Sequence, residues 1–130
     1  MKYEMLVLDL DGTLTNSRKE ITPATKQALI EIQEAGKKVV LASGRPTCGV
    51  VPLAKELELD RFGSYILSFN GALIIDCATN KPVYNKTLPR EVIAPIFECT
   101  KNYPGLDIIS YENDCVISGI KVNEYTKKEM

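Results

Sequence analysis

The chain has 130 residues, 45% of them hydrophobic and 25% charged, which suits one soluble globular domain with a real core. A formal net charge of −1 gives no electrostatic basis for binding nucleic acid or an anionic membrane, and no apolar run approaches the roughly 20 residues that a bilayer span needs. The chain has no histidine, which excludes Ser–His triads, Cys–His pairs, His-type zinc sites and imidazole acid–base chemistry, so carboxylates and a metal are the tools left to an enzyme.

Residues Met1, Lys2, Tyr3 and Glu4 carry no signal-peptide pattern, so the cytoplasm is the expected compartment. Cys48, Cys77, Cys99 and Cys115 form no C-x-x-C pair. Zinc-ribbon and thioredoxin readings therefore fail, and reduced thiols that fill the core are expected.

In chain order, the first element is an apolar run, Met5-Leu6-Val7-Leu8, that stops at Asp9. It reads as a strand of a parallel sheet, buried on both faces. Asp11-Gly12 marks a turn. Thr22 then offers an N-cap ahead of Pro23 at the first helical position. Ala24, Ala28, Leu29, Ile32 and Ala35 recur at helical spacing until Gly36 stops the helix. Lys37 to Ala42 reads as a second buried strand, ending at Ser43-Gly44-Arg45. Pro46 to Leu59 reads as a helix with a start blurred by Gly49 and Pro52. Tyr65 to Phe69 is a third strand, ending at Asn70-Gly71. Strand–helix–strand–helix–strand order implies parallel pairing with right-handed crossovers. Asp9, Ser43 and Asn70 then lie just past the carboxyl ends of three strands, along the edge where open α/β sheets bind ligands.

After Asn70 the pattern changes. Ala72 to Asp76 and Pro82 to Leu88 read as short strands around a polar turn. Pro89 to Tyr103 reads as a helix that Pro95 kinks or delays. Leu106 to Tyr111 and Cys115 to Val122 read as a further strand pair, and Glu124 to Met130 as a frayed end or a cut. Short turns between these strands suggest antiparallel pairing, so residues from about 72–88 onward are expected to leave the parallel sheet.

Asp9-x-Asp11-Gly12-Thr13 directly after a strand suits phosphate chemistry. A carboxylate there can attack phosphorus to form an acyl-phosphate. A second carboxylate two residues on can serve the leaving group and then water as acid and base. A divalent cation lets an anionic nucleophile approach an anionic phosphate, and Gly12 lets backbone amides come close to it. Three other readings compete. An Asx turn without chemistry is common after a strand. A calcium loop would place Asp9, Asp11 and Glu20 at positions 1, 3 and 12, but Leu14 stands where that loop needs glycine. A dinucleotide turn lacks its glycine pattern. Ser43 and Gly44 at the head of a helix suit phosphate binding, and Arg45 suits a substrate anion. Asn70 reads equally as a positive-φ turn residue or as an orienting group for substrate or Asp11.

These residues resemble the haloacid-dehalogenase-like hydrolases, in particular the Cof-type sugar-phosphate phosphatases. The matching stretches are Leu8-Asp9-Leu10-Asp11-Gly12-Thr13-Leu14, Leu41-Ala42-Ser43-Gly44-Arg45-Pro46 and Phe69-Asn70-Gly71-Ala72. The resemblance implies an α/β fold: a Rossmann-like core of parallel strands over residues 1–71, then the start of an α+β type II cap over residues 72–130. It implies Asp9 as nucleophile and Mg2+ ligand, and Asp11 as acid–base and a second Mg2+ ligand, through its backbone carbonyl. It implies Leu10 and Gly12 amides, with Ser43 and Gly44, around the phosphoryl group. The implied partner is a small phosphorylated metabolite. A phosphomutase sharing the loop is the alternative within the same chemistry. The family's later lysine and acidic pair have no counterpart here, so the chain is expected to be the N-terminal part of a longer enzyme, inactive or merely binding by itself. Apolar edges left uncovered would then favour self-association.

Overall fold

The computed structural model describes residues 3–112, 115–119 and 122–129, in two compact units, 1–86 and 87–130. In the first unit, strands β1 (Met5–Asp9), β2 (Lys38–Ala42) and β3 (Tyr65–Ser68) alternate with helices α1 (Pro23–Glu34) and α2 (Val51–Glu56). The strands pair in parallel, in the order β1-β2-β3. Crossovers of one hand, moving one way along the sheet, place both helices on one face. Accordingly Val39 and Leu41, which share a face of β2, join Leu29 of α1 and Leu53 and Ala54 of α2 in a single buried cluster. The buried Gln33 of α1 donates its side-chain amide to the Leu57 carbonyl just past α2, at 2.9 Å.

Local signals explain the first helix. The Thr22 hydroxyl accepts from the Thr25 N–H at 3.2 Å, and Pro23 opens the helix. Gly36, at φ +79°, takes the left-handed position that follows the C-cap Ala35.

Several expectations change. β1 is not buried on both faces: it is the edge strand, and Met5, Leu6 and Val7 are exposed, while Leu8 packs against the core. The stretch from Pro46 is not one helix. A 3-10 turn over Thr47–Gly49 precedes a shorter α2, which Pro52 can occupy only in the first turn. β3 stops at Ser68 because Phe69 turns left-handed, at φ +51°. The sheet also continues past Asn70. β4 (Leu73–Asp76) and β5 (Lys81–Asn85) extend it antiparallel, giving the order β1-β2-β3-β4-β5. Asp76 stabilises their turn by accepting from the Ala78 N–H at 2.8 Å. The two compact units divide between Lys86 and Thr87.

The second unit holds α3 (Ile93–Thr100), the antiparallel pair β6 (Ile109–Glu112) and β7 (Cys115–Ser118), and α4 (Glu124–Glu129). Pro95 falls in the first turn of α3, where no intrahelical N–H bond is lost. The tail is not frayed: Asn123 caps α4, accepting from the N–H groups of Tyr125 and Thr126 at 2.9 Å each. Lys121 and Met130 lie outside the described residues.

Of the cysteines, Cys48, Cys77 and Cys99 are free thiols. Only Cys77 of these touches the core, and burial pushes its thiol up to about 11, with Asp76 and Asp60 adding to the shift. Cys48 and Cys99 are exposed rather than core filling. The Cys115 side chain lies outside the described set. No helix among the described residues is long and apolar enough to cross a membrane.

Leu41 is fully buried at the centre of the cluster. Leu41→Ala should cost about 2–5 kcal/mol, from lost transfer energy and the cavity left behind, read as a lower midpoint in urea denaturation at unchanged slope.

Candidate active site

Parallel register brings the candidate residues together. Asp9 of β1 pairs with Ala42 of β2, and Ala42 with Leu67 of β3. The chain therefore leaves all three strands at one edge, into loops that begin at Leu10, Ser43 and Phe69.

The first loop folds back on itself. The Asp9 carbonyl accepts from the Leu14 N–H at 3.1 Å, and the Leu10 carbonyl from the Thr15 N–H and hydroxyl at 2.9 Å each. Leu10, Leu14 and Thr15 are buried beneath, while Asp9, Asp11, Gly12 and Thr13 are exposed. Gly12 has φ +81° with open space where a Cβ would stand, so conformation rather than room requires glycine there. The Asp9 carboxylate accepts a long contact, 3.4 Å, from the Thr13 hydroxyl.

Asp11 is gripped by two cations. Arg45 reaches it from the loop after β2 with both arms of its guanidinium, Nε to Oδ2 at 3.0 Å and Nη2 to Oδ1 at 2.6 Å. Lys19 Nζ lies 2.5 Å from Oδ1. Hydrogen bonds from Arg45 and then Lys19 pull the Asp11 carboxyl from its ordinary 3.8 down to about 2. Asp11 is therefore ionised at neutral pH. Lys19, a residue the sequence reading passed over, reaches it from a tight turn. The turn is built on Asn16, whose side-chain oxygen accepts from the N–H groups of Arg18 and Glu20, with Lys19 itself at φ +64°. The pattern Asn16-x-Arg18-Lys19 resembles any polar turn, and nothing in it signals that Lys19 points back to Asp11.

The second loop is tied on both sides. Ser43 is buried and donates its N–H to the Leu67 carbonyl at 2.9 Å, and its hydroxyl accepts from the Arg45 N–H at 3.1 Å. Gly44 is exposed, and its N–H donates to no group among the described residues. A 3-10 turn, rather than an α-helix, follows this loop. Asn70 lies against Gly44, not against Asp11: its side-chain oxygen is 3.1 Å from the place a Cβ on Gly44 would take.

The donor set suits a hard divalent cation of the magnesium type. It offers carboxylate and carbonyl oxygen and no sulfur or imidazole, and Mg2+ is commonly held by one or two carboxylates with phosphate and water completing its shell. Because the Asp11 carboxylate is engaged, its backbone carbonyl, which accepts no hydrogen bond among the described residues, is the oxygen left for such an ion beside Asp9. No group of three or more acidic, histidine or cysteine residues able to hold a metal occurs among the described residues.

A family model described as haloacid dehalogenase-like hydrolase matches residues 6–130, so the chain belongs to the haloacid-dehalogenase-like hydrolases. A solved haloacid dehalogenase-like hydrolase from Bacteroides thetaiotaomicron is 46% identical, with a TM-score of 0.88 over 98% of this chain and 48% of that one. "Putative phosphatase YxeH" of Bacillus subtilis is 34% identical over 74% of this chain and 36% of its own length. The sugar phosphatase BT4131 shares the fold at 24% identity, with a TM-score of 0.73 over 96% of this chain and 46% of that one. The chain thus spans less than half the length of each of these three proteins.

If Arg45 and Lys19 set the state of Asp11, Arg45→Gln and Lys19→Gln should each raise its titration from about 2 toward 3.8, read by carboxyl-carbon NMR without metal. The folded value lies below the unfolded one, so any stabilisation is present above the unfolded pKa and fades as pH falls through the folded value. The site is exposed, so added salt should weaken the shift.

Proposed function

We propose that this chain carries the nucleophile and phosphoryl-binding loops of an Mg2+-dependent phosphatase acting on small phosphate esters, sugar phosphates among them. The supporting observation is the meeting of the Asp9–Asp11 loop and the free Gly44 N–H at one sheet edge. In this reading an Asp9 carboxylate oxygen attacks phosphorus, the bond from phosphorus to the ester oxygen breaks, and an aspartyl-phosphate forms. Asp11, once it has taken up a proton from solvent, gives it to the departing oxygen, and as a carboxylate it then removes one from the water that hydrolyses the acyl-phosphate. Ser43 and the amides of Leu10, Gly12 and Gly44 hold the phosphoryl oxygens. The Asp9 carboxylate and the Asp11 carbonyl would hold Mg2+, which would offset the charge of nucleophile and phosphate.

The two cations on Asp11 fit this scheme as exchangeable partners. A phosphate ester brings new negative charge toward Arg45 and Lys19, and each cation drawn to the substrate loosens its hold on Asp11. Asp11 is then freer to take up the proton that the leaving group needs. Arg45 and Asn70 are the residues of this edge placed to meet the rest of the substrate. In this reading residues 87–130 begin the cap, and the protein works in the cytoplasm.

A second reading concerns the chain by itself. Among the described residues, no group of three or more acidic side chains stands ready to hold the ion. We therefore expect this chain alone to bind phosphate but not to turn over.

The reaction is tested with an aryl phosphate and Mg2+, on a polypeptide that contains this chain and the remaining family length. Phosphate release should fall at least about a thousandfold in Asp9→Asn, as expected when a nucleophile is removed, and should stop with EDTA. Activity that survives both changes contradicts the proposal. Transfer of phosphate back to the sugar, with none released to water, would favour a mutase. The exposed edge of β1 supports self-association of the chain, so sedimentation velocity should show a dimer or larger species that Val7→Lys disperses; a wild-type monomer would oppose it.

A further inference from the structure

Three consecutive left-handed residues follow β3: Phe69 at φ +51°, Asn70 at φ +55° and Gly71 at φ +84°. Gly71 adopts this conformation freely and Asn70 tolerates it, but for a bulky residue such as Phe69 it is an outlier. Strain of this kind persists only where the surroundings impose it, and it concentrates at functional sites. Here the turn has a definite target. The Phe69 N–H donates to the Arg45 carbonyl and the Asn70 N–H to the Ser43 carbonyl, both at 3.0 Å. The two carbonyls flanking Gly44 are therefore held toward β3. The Asn70 carboxamide lies across Gly44, with Oδ1 at 3.1 Å, Nδ2 at 3.6 Å and Cγ at 3.7 Å from a Cβ built there.

We propose that Asn70 is a positioning residue for the phosphoryl-binding loop: with Phe69 it clamps the carbonyls of Ser43 and Arg45, and so presents the Gly44 N–H to an anion. The proposal rests on the reading of Gly44 as a phosphoryl donor. It assigns the glycine requirement at position 44 to the carboxamide of Asn70. It also explains why the turn stays left-handed at a bulky residue. An extended Phe69 would carry the Asn70 N–H away from the Ser43 carbonyl, and Gly44 would lose its frame on that side.

The test uses the 15N-labelled chain. Without phosphate, the amide protons of Phe69 and Asn70 should exchange slowly with solvent. Asn70→Val, whose branched side chain resists positive φ, should speed both by about tenfold or more, while the β2 amides of Val39 and Leu41 stay protected. Asn70→Gly keeps the left-handed backbone available and should keep that protection. With inorganic phosphate and Mg2+, the Gly44 amide resonance should shift on binding. Gly44→Ala should weaken phosphate binding about tenfold. In an Asn70→Gly background, where the new methyl group no longer meets the carboxamide, the same substitution should cost less than about threefold, a coupling of the size seen between touching residues.

Rapid exchange of the Phe69 and Asn70 amides in the unmodified chain would overturn the proposal. So would an equal penalty for Gly44→Ala in both backgrounds, which remains decisive if Asn70→Val does not fold. A Gly44 resonance that ignores phosphate would defeat the phosphoryl reading instead, and the exchange measurements would still decide whether the clamp exists.

Discussion

The parallel register of β1, β2 and β3 is the constraint on which the rest depends. Asp9, Ala42 and Leu67 stand side by side, so the loops that follow them begin at one edge. The apolar cluster beneath α1 and α2 holds that register, since a slip of one residue would turn Val39 and Leu41 away from Leu29 and Leu53. Packing on one face thus sets the geometry of polar groups at the end of the sheet. The Asp9 and Asp11 carboxylates stay exposed, above the buried Leu10, Leu14, Thr15 and Ser43.

Two cross-loop links convert nearness into a site. Arg45 spans from the second loop to Asp11 in the first. The left-handed turn after β3 grips the second loop through the carbonyls of Ser43 and Arg45. Each link serves a different end: the ion pair lowers the Asp11 pKa, and the backbone clamp leaves the Gly44 amide free. Neither link requires the second compact unit, since every residue involved lies within residues 1–86.

Much of this was legible in the sequence because the signals are local. The Thr22-Pro23 start of α1, the apolar run of β2 and the stops at Asp9 and Ser43 are set by neighbours a few residues away. Edge position is not local. The residues of β1 are as apolar as those of a central strand, and only the strand order reveals that Met5 and Val7 are exposed. The hairpin of β4 and β5 misled for a related reason: alternation and a turn announce an antiparallel pair but do not say which sheet it joins. Lys19 was missed because its contact with Asp11 depends on a positive φ at a residue type that rarely adopts one. Asn70 was legible as a turn residue, while its hold on Gly44 emerged only from the coordinates of both loops.

The central claim is that Asp9 receives the phosphoryl group. It is tested most directly by rapid acid quench of a polypeptide that contains this chain and is turning over an aryl phosphate, followed by peptide mass spectrometry. The account predicts a phosphoryl adduct on the peptide that carries Asp9, located on that residue and absent from Asp9→Asn. An adduct on Asp11 or Ser43 instead, or none during sustained turnover under conditions that preserve acyl-phosphates, would contradict it.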